Sequence, residues 1–365
     1  MSEIRALTAL RGLAAMAVVL QHFSATAQSH ATTTIPSLVP HGYMAVDLFF
    51  VLSGFIMAYT YAQDFATRGL RAFPEFLLKR VARIVPLNTV VVLLVLLLGF
   101  ATTRLLGRNI VYDSTDLPYD TLSNLLMLQG LGVGTNLNGP SWSISTEFAA
   151  YFLFPVLLAL VLGRQRALAW GVIVLCLTVL AGIAAQHPRL GLDTGSIAGG
   201  LLRCITQFVI GIGLYRVLGD STWAGRLRDD RVAAAAILWV LAGLLLRIDL
   251  MAALGFPVLI LALAGNRGRI ARVIASPVPY FLGVISFSIY LLHNLLRPLE
   301  LEWLRAVHPA PLGMVPALSM ALLGGLSVIP FAWLAYVAVE RPGRRWVRGI
   351  AALVTQAYRP RPRAC

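Results

Sequence analysis

Residues 7–23 read L-T-A-L-R-G-L-A-A-M-A-V-V-L-Q-H-F, an apolar stretch interrupted by Arg11 and His22. Its length and composition predict a membrane-crossing helix. Eleven steps of about 100° make three turns plus roughly 20°, so Arg11 and His22 leave one helix face about 16 Å apart along the axis. Ionisable groups inside a span cost free energy, and they usually line a cavity, pair with one another or handle a substrate. The competing reading is an arginine that snorkels and a histidine at the interface.

The rest of the chain has the same character: 58% of its 365 residues are hydrophobic, 13% are charged, and the mean hydropathy is +0.78. That composition excludes a water-soluble globular domain and predicts an all-α, polytopic transmembrane bundle. Runs of about 20 mostly apolar residues place ten spans near 6–23, 42–61, 84–101, 142–162, 167–185, 197–217, 232–247, 249–265, 278–296 and 313–338. The close pair near 232–265 is the division most open to error. The longest polar stretch, 102–141, reads as a loop with one short helix near 119–128. One transmembrane domain is expected over 1–345, followed by a basic cytoplasmic tail over 346–365.

The formal charge of +14 invites a nucleic-acid partner, but its placement points elsewhere. Of the 30 Lys and Arg residues, this ten-span assignment puts 22 on the side of the N-terminus and six on the other, with Arg11 and Arg203 inside spans. Such asymmetry predicts cytoplasmic termini and makes the basicity a topology signal, with no nucleic acid implied. Cleavage after A-T-A at 25–27 is not expected, because Arg11 would interrupt the signal core and removal would invert the topology. Cys176 and Cys204 fall in spans, and no spacing suggests a metal site.

Counting spans from a cytoplasmic N-terminus assigns each polar residue a depth. His22, Asp47, Glu147, Arg203, Gln207 and His293 fall in the outer half. Arg11, Arg80, Arg83 and Glu340 fall toward the cytoplasm. Arg80 and Arg83, at i and i+3, share a face suited to gripping phosphates, although arginines there also serve topology and lipid headgroups. In the outer cluster an imidazole can take a proton from a hydroxyl, and a neighbouring carboxylate can fix its tautomer. Either Glu147 or Asp47 suits that role. Asp47 alternatively pairs with Arg203, and His293 alternatively serves as an interfacial anchor.

Five motifs occur in order along the chain: Arg11-x10-His22, V-D-L-F-F-V-L-S-G-F at 46–55, K-R-V-A-R-I-V-P at 79–86, S-W-S-I-S-T-E-F at 141–148 and S-F-S-I-Y-L-L-H at 286–293. Together they resemble the type 3 acyltransferase family, membrane enzymes that O-acylate bacterial glycans and some secreted small molecules. The resemblance spans nearly the whole chain. It implies a ten-helix domain in the bacterial inner membrane that moves an acyl group, often acetyl, from cytoplasmic acyl-CoA to a hydroxyl. Acyl-CoA would be a donor substrate, with no permanently bound cofactor. Carried onto this sequence, the resemblance implies catalytic roles for His22, Glu147 and Arg11 and donor binding by Arg80, Arg83 and Arg11. Asp47, Trp142, His293 and Arg203 become the candidate acceptor-binding residues.

The expected chemistry has His22 as general base with Glu147 in support, and an acyl-histidine relay as the competing mechanism. A straight 16 Å separation keeps Arg11 from touching His22, which assigns Arg11 to the donor side or to a pair with an inner carboxylate. Many relatives carry a further span and a hydrolase-like domain, and this chain is expected to act without them or with a partner. Saccharide acceptors, including exopolysaccharide, O-antigen and lipid-linked glycans, are the expected substrates, with membrane lipids and polysaccharide-export machinery as surroundings. Tyr112, Asp113, Asp116, Tyr119 and Asp120 suit a sugar-facing cap, though such residues are equally ordinary in an outer loop. The rival function is a transporter or flippase, since charges at two depths also describe alternating access. A catalytically inactive export partner is the weaker third reading.

Overall fold

A computed structural model of the chain describes residues 3–37, 39, 41–193, 196–219, 225–308, 310–347 and 349. Of the tail expected over 346–365, all but Trp346, Val347 and Gly349 lies outside the described residues. Among the described residues the fold is all-α, and the bridge between Ala31 and Leu312 is its one extended pairing. The helices are α1 (Arg5–Gln28), α2 (Ala45–Arg68), α3 (Phe73–Leu106), α4 (Leu117–Leu125), α5 (Ser141–Leu162), α6 (Arg166–Ala185) and α7 (Ile197–Gly219). They continue as α8 (Asp230–Leu246), α9 (Asp249–Leu263), α10 (Arg269–Ile274), α11 (Pro277–Val284), α12 (Ser286–Val307) and α13 (Met314–Ala335). A π-helical turn, Tyr336–Glu340, follows α13.

Six helical stretches are long and apolar enough to cross a membrane, and a bent pair makes a seventh, which marks an integral membrane protein. This count differs from ten for local reasons. Residues 42–106, read as two spans, form one stretch because only the turn Gly69–Ala72 separates α2 from α3. The chain nevertheless doubles back there. Arg80 Nη2 donates to the Tyr61 hydroxyl at 2.9 Å, whereas 19 residues of straight helix would hold the two about 28 Å apart. α8 and α9, each read as a span, have 17 and 15 residues, and Arg247 in a left-handed conformation (φ 59°) divides them. The span expected at 278–296 is broken at Ile285, where α11 meets α12 at 72°.

In a bilayer the hydrophobic effect contributes little between helices, so close backbone approach and dispersion carry the packing. At the α2–α7 crossing, a Cβ on Gly54 would lie 1.9 Å from the Phe208 carbonyl oxygen, and one on Gly211 would lie 2.1 Å from that of Val51. Only glycine fits. The α1–α11 crossing is built alike, with a Cβ on Gly12 falling 2.3 Å from the Gly283 nitrogen. That contact seats α1 against the broken span, next to Ser286 and Phe287.

Two apolar clusters result. The larger joins α2, α3, α5, α6, α7, α8 and α9 around rings such as Phe76, Phe154 and Phe208. The smaller joins α1, α12 and α13 through Val19, Phe23, Ile289 and Ala321. α1 contributes to both, giving Leu7, Leu10 and Val18 to the first and Ala15, Val19 and Phe23 to the second. α12 does the same, with Tyr290, Leu291 and Leu295 in the first and Ile289 and Leu304 in the second, so α1 and α12 form the seam of the fold, and Arg11, His22 and His293 lie along it.

Candidate active site

Toward one end of this seam, α1, α2, α3, α5 and α12 enclose a cavity with about 810 Å³ of atom-free space, part of it open to solvent. Arg11, Arg80 and Arg83 line it together. Each comes from a helix set by an apolar face, so the guanidiniums converge only because the chain turns back at Gly69–Ala72 and α1 is wedged between the clusters. None of the three forms an ion pair with a carboxylate among the described residues. Arg80 bonds the neutral Tyr61 hydroxyl, and its Nε is buried without a partner.

Glu147 is the carboxylate in this lining. Ser53 Oγ donates to its Oε1 at 2.5 Å, and the Tyr151 hydroxyl donates to the same oxygen. The expected support of His22 by Glu147 is therefore not what the structure contains. Sequence assigns depth along a span but not rotation about its axis, and Glu147 is turned toward Ser53 and Tyr151.

His22 pairs instead with His293: Nδ1 of His22 and Nε2 of His293 are 2.8 Å apart, and the rings are inclined by 16°. Nδ1 of His293 lies 2.7 Å from the carbonyl oxygen of Tyr290. His293 is fully buried, while His22 is partly exposed. Tyr290 also lines the arginine cavity, where its hydroxyl lies 2.7 Å from Ser143 Oγ and its ring meets Phe49 edge-on. It thus lines the cavity that the arginines share and, through its backbone carbonyl, meets His293. One turn beyond the pair on each helix, Arg297 Nε donates to Thr26 Oγ1 at 3.1 Å and its Nη1 to Asn294 Oδ1 at 3.0 Å. Tyr290, Ser53, Tyr151 and Arg297 escaped the sequence reading. The Y-x-x-H spacing of Tyr290 and His293 is the signal that could have exposed the first.

The remaining acceptor-side candidates are placed elsewhere. Asp47 and Arg203 form a buried bidentate pair between α2 and α7, with Arg203 Nε at 2.8 Å from Oδ1 and Gln207 Nε2 at 2.7 Å. Committed to each other, they present no free polar face to an acceptor. Trp142 packs edge-on against Phe50 and over Gly200, outside the cavity lining. Among the described residues no group of His, Cys, Asp and Glu is arranged to hold a metal ion.

Comparison with known proteins agrees with the motif pattern. A family model described as an acyltransferase domain matches residues 4–337. Acyltransferase MdmB of Streptomyces mycarofaciens is 29% identical over 378 residues, covering 94% of this chain and 92% of that one. "Putative O-acetyltransferase SACOL0978" of Staphylococcus aureus (strain COL) is 23% identical over 97% of this chain, which spans only 59% of its length. The like-named SAS0844 of strain MSSA476 is 23% identical, with 58% of its length covered. No solved structure matches. With the family model covering nearly the whole chain and the motif residues converging on one seam, this chain belongs to the type 3 acyltransferase family and is an acyltransferase.

Proposed function

We propose that the protein is a membrane-embedded O-acyltransferase that takes an acyl group, acetyl in the simplest case, from cytoplasmic acyl-CoA and passes it to a saccharide hydroxyl. In this reading it sits in a bacterial inner membrane with ten spans, α8 and α9 among them, and both termini in the cytoplasm. One observation carries it: three guanidiniums without ion-pair partners among the described residues share a cavity lined also by Tyr290, whose carbonyl meets the histidine pair.

A guanidinium fork matches phosphate geometry, so Arg11, Arg80 and Arg83 would hold the nucleotide phosphates of the donor. An extended pantetheine arm would then carry the thioester along α1 toward His22, about 16 Å from Arg11. His22 takes the proton of the acceptor hydroxyl as its oxygen attacks the thioester carbonyl. Collapse breaks the carbon–sulfur bond, and the imidazolium returns the proton to the thiolate. The reaction needs neither a redox partner nor a metal in its balance. Glu147, held by Ser53 and Tyr151, supports the donor side of the cavity.

The test uses purified protein in proteoliposomes with labelled acetyl-CoA on one face and a glycan on the other. Acylated glycan appearing with wild type and lost with Arg11→Ala supports the reading. Uptake of unmodified glycan without acyl transfer overturns it in favour of a transporter.

A further inference from the structure

We infer that His293 is a positioning residue that fixes the tautomer of His22 and leaves Nε2 of His22 as the basic nitrogen; this deepens the transferase reading and rests on it. The inference follows from counting protons. A backbone carbonyl only accepts, so Nδ1 of His293, 2.7 Å from the Tyr290 oxygen, carries the hydrogen. A neutral imidazole has one N–H, so Nε2 of His293 is an acceptor. At 2.8 Å from it, Nδ1 of His22 must donate. The one proton of a neutral His22 is thereby used, and its lone pair stands on Nε2, for which no hydrogen bond to a described residue exists.

The other assignment makes His293 a cation donating from both nitrogens. Its ring is fully buried, and the nearest charge along α12, one turn outward, is the like-signed Arg297 guanidinium, itself tied to Thr26 above His22. A buried cation without a counter-charge is strongly disfavoured. The neutral chain Tyr290 C=O, His293, His22 is what this setting accommodates.

The arrangement does the work of the carboxylate in a hydrolytic triad, by orientation and dipole in place of charge. When the acceptor proton moves to His22 Nε2, the Nδ1–H bond to His293 persists and the Tyr290 carbonyl lies behind it, so the imidazolium forms with its partners in place. The proton then passes from Nε2 to the departing thiolate, and the dyad returns to its starting tautomer.

The test compares wild type with His293→Leu, which removes the acceptor, and His293→Gln, whose side-chain oxygen can take the His22 Nδ1–H. Protein labelled with ¹⁵N-histidine, one of only six such residues, reports the His22 tautomer directly, with His22→Gln assigning the signal. The expected wild-type spectrum shows His22 protonated on Nδ1. In His293→Leu that preference disappears and kcat falls about 10²- to 10⁴-fold with KM for acyl-CoA unchanged. His293→Gln retains the tautomer and recovers part of kcat. A wild-type His22 protonated on Nε2, or unchanged kcat in His293→Leu, overturns the inference. The spectrum needs no substrate, so it decides the tautomer even if His293→Leu fails to fold. Wild type without any turnover but with the Nδ1–H tautomer would instead count against the transferase reading alone.

Discussion

Asp47 and Arg203 lock α2 to α7 two turns from the point where Gly54 and Gly211 bring the same helices into backbone contact. The ion pair fixes rotation and the glycines fix separation. Asp47→Ala is expected to cost about 3–5 kcal/mol, because it leaves a buried guanidinium unpaired. Replacing both partners, as in Asp47→Leu with Arg203→Met, is expected to cost less than the single change. Thermal unfolding in detergent checks this, and a double variant weaker than Asp47→Ala would contradict it.

The arginine cavity predicts a donor-specific defect. Arg80→Ala and Arg83→Ala should each raise KM for acyl-CoA about tenfold to a hundredfold, the range for a lost charge-assisted bond. With an acyl-pantetheine donor that lacks the nucleotide phosphates, the same variants should match wild type. Equal loss with both donors would show that the arginines do not read phosphate.

Tyr290 lines that cavity beside Phe49 and Ser143. Its contact with His293 is through the backbone carbonyl, which survives a side-chain change. Tyr290→Ala is therefore expected to keep acetyl transfer while improving longer acyl donors. The gain should approach fourfold per added methylene, from about 0.8 kcal/mol for each CH₂ buried. Steady-state comparison of acetyl, butyryl and hexanoyl donors measures it; an unchanged ranking would remove Tyr290 from the acyl path.

Outside the spans, Asp120 anchors the loop that follows α4. Ser114 Oγ donates to its carboxylate at 2.5 Å and the Thr135 N–H at 2.6 Å, which holds the carboxyl below its ordinary range. A depressed folded-state value means this support is complete above the unfolded value and is lost as pH falls through the folded one. Hydrogen exchange in 114–135 should be slow at pH about 6 and should rise as the pH is lowered past about 4. Asp120→Asn should show the fast loop at every pH. Protection that ignores both changes would rule out Asp120 as the anchor.

How much of this was legible in the sequence depends on what hydropathy and spacing encode. The Arg11 to His22 interval, on one continuous helix, predicted two separate polar groups, and the structure holds the two residues in different polar groups along α1. The Asp47–Arg203 pair was one of two readings, because matched depth on two spans permits contact without requiring it. The short helix expected near 119–128 was legible in kind, but it runs Leu117–Leu125, because Asp116 caps its start by accepting the Tyr119 N–H at Oδ1. The partner of His22 was not legible. Glu147, Asp47 and His293 share its depth, and only the azimuth of each helix distinguishes them. The break at Ile285 was equally hidden, because it depends on Gly283 meeting Thr8 and Gly12 on a helix far away in sequence. The clasp of Asp249 on His41, Tyr43 and the Leu192 N–H likewise joins three segments that no local pattern links.

The account stands most directly on one measurement: single-turnover acyl transfer by His22→Ala, with acyl-CoA binding measured on the same sample. Donor affinity should stay within about twofold of wild type while transfer falls by about 10² to 10⁴, and rapid quench of wild type should show label on the acceptor with none accumulating on protein. Transfer by His22→Ala at the wild-type rate, with the donor still bound among the arginines, would contradict it.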